Sequence, residues 1–191
     1  MTHGTRGSLE CGLSDSDKTL ALSAANGDRA AYEALLRGHY DRIFSLAWRL
    51  TGSFHEAQDL TQEICLSLPR RLKGFRGDAS LKSWLYRVVV NAVHDMRRTS
   101  ATRARRHQEW GAWEIGRIDC VQESDTMKKW LAEAIAMLPQ DLKDILALSF
   151  DEDLTQAQIA LILGISPGTV AWRISQVKMH LRKYAETVGL A

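Results

Sequence analysis

Apolar residues recur every three or four positions along most of the chain, and each run is closed by a glycine, a proline or a small polar cap. That period predicts an all-α protein. A first helix opens near Ser14 or Asp15 and stops at Gly27. Asp28 caps a second, whose stripe is Tyr32, Leu36, Tyr40, Ile43, Ala47 and Leu50; Tyr40 and Trp48 are read as packing residues. Gly52 breaks that helix, and Ser53-Phe-His-Glu56 has the form of a capping box. The third helix buries Ala57, Leu60, Ile64 and Leu68 and turns Asp59, Gln62, Glu63 and Ser67 to the other side. Pro69 removes the bond to residue 65 and is expected to kink or end the helix.

A loop over 73–79 follows, and Ser80 caps a fourth helix with the stripe Leu81, Leu85, Val88, Ala92 and Met96. Lys82, Tyr86, Arg87, Val90, Asn91 and His94 then fall around its exposed side. In the last third, Met127, Leu131, Ala134 and Leu138 form one stripe before Pro139, and Leu142, Ile145, Leu146 and Ser149 form the next. Thr155-Gln-Ala-Gln158 is a second capping box, opening a short helix that ends at Gly164. Ser166 caps the final helix with Pro167 in its first turn. That helix buries Val170, Ile174, Val177 and Leu181 and exposes Thr169, Trp172, Arg173, Gln176 and His180.

Charge divides this helical chain. Residues 28–106 carry fifteen Lys/Arg against eight Asp/Glu, residues 107–127 one against five, and residues 128–191 seven against seven. A basic block, an acidic connector and a neutral block predict two small helical domains joined by a flexible linker. The expected boundaries are a disordered 1–13, a first domain over 14–106, a linker over 107–126 and a second domain over 127–191. Fully extended, such a linker reaches about 70 Å; as a coil it averages about 25 Å. Trp110 and Trp113 within it are expected to pack on a domain or a partner.

No enzyme chemistry is visible. The six histidines are scattered, and the three cysteines (Cys11, Cys65, Cys120) are far apart, giving neither a metal-ligand spacing nor a disulfide framework. No glycine-rich phosphate loop and no nucleophile elbow occur. No catalytic residue, metal or cofactor is therefore expected, and no small-molecule substrate. There is no run of about 18 apolar residues and no apolar signal core, so a cytoplasmic protein without membrane insertion is expected.

The chemistry that does stand out suits nucleic acid. Phe75, Arg76, Lys82, Trp84, Tyr86 and Arg87 alternate stacking surfaces with positive charge, the combination that unpaired bases and their phosphates require. Asn91, a poor helix former at mid-helix, reads as a base or backbone contact. Arg97, Arg98, Arg103, Arg105 and Arg106 exceed what a helix dipole needs and point to phosphates. Two short helices about a glycine turn, the second polar and basic, form a helix-turn-helix.

In order and spacing these motifs resemble the extracytoplasmic-function (ECF) sigma factors of the sigma-70 family, over roughly residues 15–106 and 127–185. The resemblance rests on Asp59-Leu-Thr-Gln-Glu63, on Phe75-Arg-Gly-Asp-Ala-Ser-Leu-Lys-Ser-Trp-Leu-Tyr-Arg87, and on Asn91 with Asp95, Arg97 and Arg98. In the second half it rests on Leu138-Pro139, Ile159-Ala160 and Ser166-Pro-Gly-Thr-Val170 with Arg173. It implies that Asp59, Gln62 and Glu63 dock on the largest subunit of core RNA polymerase. It implies that Phe75, Arg76, Gly77, Asp78, Ala79 and Ser80 capture a flipped base of the minus-ten element, with Lys82, Trp84, Arg87 and Asn91 beside them. Thr169, Ala171, Trp172, Arg173 and Gln176 would meet the minus-thirty-five duplex. The implied partners are core polymerase, promoter DNA as duplex and melted strand, and an anti-sigma factor. The chain departs from the family pattern at Ala171 and Trp172, where a basic and then a small residue are usual, at Pro69, and at Asp153, where glycine is common. From the residues alone, a stand-alone helix-turn-helix regulator and a basic RNA-binding module remain competing readings.

Overall fold

The computed structural model describes the backbone of residues 7–108, 126–151 and 153–187, and the side chains of 16–100, 130–151 and 153–187. Among these residues the chain is all helical: α1 Gly7–Ala25, α2 Arg29–Thr51, α3 Phe54–Leu72, α4 Leu81–Gln108, α5 Thr126–Ala136, α6 Gln140–Ser149, α7 Gln156–Leu163 and α8 Pro167–Thr187. They pack as two compact units, Met1–Arg97 and Arg98–Ala191. Residues 7–13, expected to be disordered, belong to α1, and residues 1–6 lie outside the described part. At the expected linker, 107–108 complete α4 and Thr126 opens α5, while 109–125, with Trp110 and Trp113, lie outside it.

In the first unit α1 packs on α2 and α3, and α2 on α3. The corner between α1 and α2 is closed by local chemistry. Gly27 takes φ +95°, and the N–H of Asp28 reaches back to the Ser23 carbonyl at 3.1 Å, ending α1. The Asp28 carboxylate then accepts the N–H of Ala31 at 3.1 Å, opening α2. At the next corner Gly52 is again left-handed, and the Ser53 hydroxyl accepts the N–H of Glu56 at 3.3 Å. The N–H of Ser53 is itself given to the Thr51 hydroxyl at 3.3 Å, so Thr51 takes the place expected for the Glu56 side chain.

Three packing expectations are corrected. The buried face of α2 is Ala31, Leu35, His39, Ile43, Leu46, Ala47 and Leu50, so Tyr32 and Leu36 are only half-buried and Tyr40 and Trp48 are exposed. The apolar pattern skipped His39 because it is polar, yet its Nε2 meets Asp17 Oδ2 of α1 at 3.2 Å, which makes burial tolerable. Trp48 instead joins Phe44 and Phe54 in an aromatic cluster at the α2–α3 corner, 6.3 and 6.2 Å between ring centroids. Second, α3 runs through Pro69 to Leu72. The carbonyl orphaned by proline is that of Cys65, and the Tyr32 hydroxyl donates to it. Third, Tyr86 and Val90 of α4 are buried, together with Leu81, Leu85, Val88, Val89 and Val93. Over residues 81–93 burial covers most of its girth and leaves Arg87 and Asn91 exposed, while His94, Asp95, Arg98, Thr99 and Ser100 are exposed further on. The Arg97 guanidinium donates to the Leu50 carbonyl at 2.5 Å, tying α4 to the end of α2.

The second unit is built on α8, which packs against α5, α6 and α7. Leu138, Leu142 and Val177 form a buried cluster with Leu146 and Leu181 against it. The Tyr184 hydroxyl donates to Glu133 at 3.1 Å and its ring lies 6.1 Å from that of Trp130, joining α5 to α8. Of the expected stripes, Leu131 and Ser149 are exposed and Ile174 and Leu181 half-buried, while Ala147, Leu148 and Asp144 are buried.

Candidate nucleic-acid interface

The loop between α3 and α4 is made by short-range bonds. The N–H groups of Gly74 and Phe75 reach the carbonyls of Arg71 and Leu72, both at 3.0 Å. Gly77 sits at φ +75°, a conformation that costs glycine little and other residues more. The Ser80 hydroxyl accepts the N–H of Ser83 at 3.2 Å and donates to its hydroxyl at 2.9 Å, starting α4.

Within this loop the expected site residues divide into floor and rim. Phe75 is 6 % exposed, its ring set edge-on to Trp84 at 5.5 Å and 63°. It is a floor residue rather than a free stacking surface. Trp84 is half-buried; Arg76, Asp78 and Ser80 are exposed, and Gly77 and Ala79 are half-buried. On α4, Arg87 and Asn91 are exposed one turn apart, and the half-buried Lys82 puts its ammonium 5.7 Å over the Tyr86 ring. The arrangement offers a basic, polar rim over an apolar floor, which suits an unpaired base whose phosphates lie outside.

The buried His39 of α2 lies within electrostatic reach of Lys82 in the first turn of α4. Burial is the largest influence on it and lowers its pKa below the ordinary 6.5; the Asp17 carboxylate acts in the opposite sense, and Arg42 and Lys82 add to the lowering. Burial wins, so the imidazole is neutral and donates from Nε2 to Asp17.

On α3, Asp59, Gln62 and Glu63 are all exposed and share one side. Leu66, one turn further on that side, is 78 % exposed. Sequence reading passed over Leu66, although an apolar residue three and seven positions after Glu63 and Asp59 was the available signal. The same face of α3 therefore mixes acidic, amide and apolar groups, a composition suited to a protein partner.

In the second unit the capping box of α7 is complete, with both reciprocal bonds between Thr155 and Gln158 present. Gly164, at φ +67°, ends α7, and the N–H of Ile165 returns to the Ala160 carbonyl at 3.0 Å. α7 and α8 are bent by 101° at this turn, within the range of helix-turn-helix units. The Ser166 hydroxyl accepts the N–H of Thr169 at 3.1 Å, so Thr169 is tied to the cap. At 3.6 residues per turn, Trp172 stands in the middle of the exposed side of α8, in line with Ser175 and Met179, and is 58 % exposed. Thr169, Arg173 and Gln176 lie half-buried on one margin and Ala171 is exposed on the other. Arg173 Nη2 pairs with Asp141 Oδ2 of α6 at 3.3 Å, and its Nε is buried without a partner. Arg173 thus also braces α8 against α6. Among the described residues no group of three or more His, Cys, Asp and Glu side chains could hold a metal.

Comparison with known proteins bears on both units. Sigma-70 region 2 matches residues 35–103, and Sigma-70 region 4 matches residues 128–181. An ECF RNA polymerase sigma factor SigE of Mycolicibacterium smegmatis is 30% identical over 181 residues, covering 90% of this chain and 69% of that protein. The ECF RNA polymerase sigma-E factor of Escherichia coli is 28% identical over 173 residues, covering 85% of this chain and 90% of its own length. Among solved structures, the sigma factor RpoE in complex with the anti-sigma factor NepR from Bartonella quintana aligns with a TM-score of 0.66 at 18% identity, over 81% of this chain and 96% of that one. CnrH in complex with the cytosolic domain of CnrY aligns with a TM-score of 0.63 at 20% identity, over 90% and 98%. At these identities the two structures speak for the fold.

Proposed function

The chain belongs to the ECF RNA polymerase sigma factors of the sigma-70 family, and from that premise we propose which of its surfaces makes each contact. As an alternative sigma factor it binds core RNA polymerase and directs it to promoter DNA. We assign residues 14–106 to region 2 and residues 127–191 to region 4, joined through 107–126. Asp59, Gln62 and Glu63, with the exposed Leu66, dock on the polymerase largest subunit. The rim of Arg76, Gly77, Asp78, Ala79 and Ser80 receives a base flipped from the minus-ten element, over the floor of Phe75 and Trp84. Lys82, Arg87 and Asn91 hold the adjoining strand. Unstacking a base costs a few kcal/mol, and a ready pocket offsets that cost at the moment of melting. Trp172, flanked by Ala171 and by Thr169, Arg173 and Gln176, meets the minus-thirty-five duplex, its ring suited to a thymine methyl.

The observation that carries this reading is the succession along unit 1 of an exposed, partly acidic face on α3 and a basic loop crowned by Gly77. The first suits a protein and the second a melted strand. The protein contributes binding energy rather than chemistry. Among the described residues no single helix is long and apolar enough to cross a membrane, and we place the protein in the cytoplasm with the polymerase. We also propose that an anti-sigma factor binds it and holds it inactive; a protein of similar fold, the sigma factor RpoE of Bartonella quintana, is solved in complex with the anti-sigma factor NepR.

The test is run-off transcription by core polymerase with and without the purified protein, on genomic fragments that include the region upstream of its own gene. Discrete transcripts that require the protein are expected. Tight binding to duplex DNA with no association with core polymerase would instead make it a stand-alone helix-turn-helix regulator.

A further inference from the structure

α1 carries no sequence sign of a role in DNA binding, yet it delivers a cation to the loop. A Cβ placed on Gly77 would lie 2.5 Å from Lys18 Cε and 2.7 Å from its Nζ. The lysine therefore rests on the crown of the loop, in the space that any side chain at 77 would fill. Gly77 is favoured by its positive φ, and a side chain there would also push the flexible end of Lys18 aside.

The position of Lys18 is fixed from below. Its neighbour Asp17 is bonded to the buried His39 at 3.2 Å, which sets the register of α1 on α2. Lys18 itself is exposed. Arg42 of α2 and Lys82 of α4 both act electrostatically on His39, so α2 and α4 each bring a cation within reach of the residue that anchors Asp17. Such convergence beside a loop built for a base is the pattern of a phosphate-binding surface.

We propose that Lys18 is a phosphate contact for the melted strand, receiving the phosphodiester next to the nucleotide held by the Gly77 loop. The proposal rests on the assignment of that loop to strand capture. It makes α1 a third element of the DNA interface of unit 1, beyond the loop and α4 that the motifs mark.

The experiment measures binding of holoenzyme, assembled from core polymerase and the full chain, to a fork DNA. The fork carries the minus-ten non-template strand of a promoter that the holoenzyme transcribes. Lys18→Gln removes the charge and keeps a polar side chain one atom shorter; Lys18→Arg keeps the charge. One single-strand phosphate contact contributes about 0.7 to the slope of log K against log salt. Lys18→Gln is expected to lower the slope by that amount. The wild-type advantage then shrinks about 2.5-fold between roughly 50 and 200 mM salt. Lys18→Arg should keep the wild-type slope, and both variants should bind core polymerase normally. Tighter binding by Lys18→Gln would overturn the proposal and make Lys18 a plug over the loop. An unchanged slope, with Arg76→Ala and Asn91→Ala weakened, would overturn it while leaving the loop assignment intact. No effect from any of the three would remove the loop assignment itself.

Discussion

The bond from the Tyr32 hydroxyl to the Cys65 carbonyl is open to a decisive test. In an uninterrupted helix that carbonyl would accept the N–H of residue 69, which is Pro69 and has none. Tyr32, from α2, supplies the missing donor, so α3 reaches Leu72 and the loop begins where it does. Burial raises the Tyr32 pKa above 10.0, with the Cys65 thiol adding to it, so the hydroxyl keeps its proton over the physiological range. Tyr32→Phe preserves the ring and deletes the donor. Because the site is only half-buried, we expect a cost near the lower end for an unsatisfied acceptor, about 1 kcal/mol. For a unit of this size that lowers the melting temperature by about 5 °C. Pro69→Ala restores the helical donor and stabilises the unit by up to about 3 kcal/mol. In that background Tyr32→Phe should cost less than about half as much. Four proteins measured by urea titration and calorimetry complete the cycle. Equal costs in the wild-type and Pro69→Ala backgrounds would show that Tyr32 does not replace the missing donor.

Three further outcomes follow from the geometry. His39 is neutral when folded with its pKa below 6.5, so stability should be constant above about pH 6.5 and fall as pH drops below it, as the unfolded chain gains the proton first. Urea midpoints from pH 7.5 to 5 should show that loss in the wild type and a reduced one in His39→Gln. Phe75→Ala should cost about 3 kcal/mol because the ring is buried against Trp84. Core binding should weaken along with melting, whereas Asn91→Ala should impair melting alone; a Phe75→Ala protein of native stability would restore Phe75 to the exposed rim. Arg173→Ala should reduce affinity for the upstream duplex and lower its salt slope by about 0.9. An unchanged slope, with reduced stability of the second unit, would leave Arg173 only its pairing with Asp141.

What could be read from the sequence was what local chemistry decides. Gly27, Gly52 and Gly164 end helices because each takes a positive φ, and Thr155 with Gln158 closes a capping box whose partners are three residues apart. The exposed side of α3 followed from period alone. The misreadings all involve a partner distant in the chain. His39 fell outside the apolar stripe because its burial depends on Asp17 of α1. Pro69 looked like a helix end because Tyr32 could not be known to serve the Cys65 carbonyl. Tyr86 and Val90 were assigned outward on the premise of a one-sided helix, but over residues 81–93 α4 is buried around most of its girth. Lys18 belongs to the same class: its relation to Gly77 arises only when α1 folds over the loop.

The placement of aromatic side chains also makes the molecule its own optical instrument. Trp48 in the first unit is 45 % exposed and Trp172 in the second is 58 % exposed. A chain carrying one of them, with its other indoles replaced by phenylalanine, reports on one unit at a time through its emission. Trp172 would change its emission as its ring leaves water when α8 enters a groove, while Trp48 would register events at the α2–α3 corner. The order in which the two units engage polymerase and promoter thereby becomes a stopped-flow measurement that needs no attached dye.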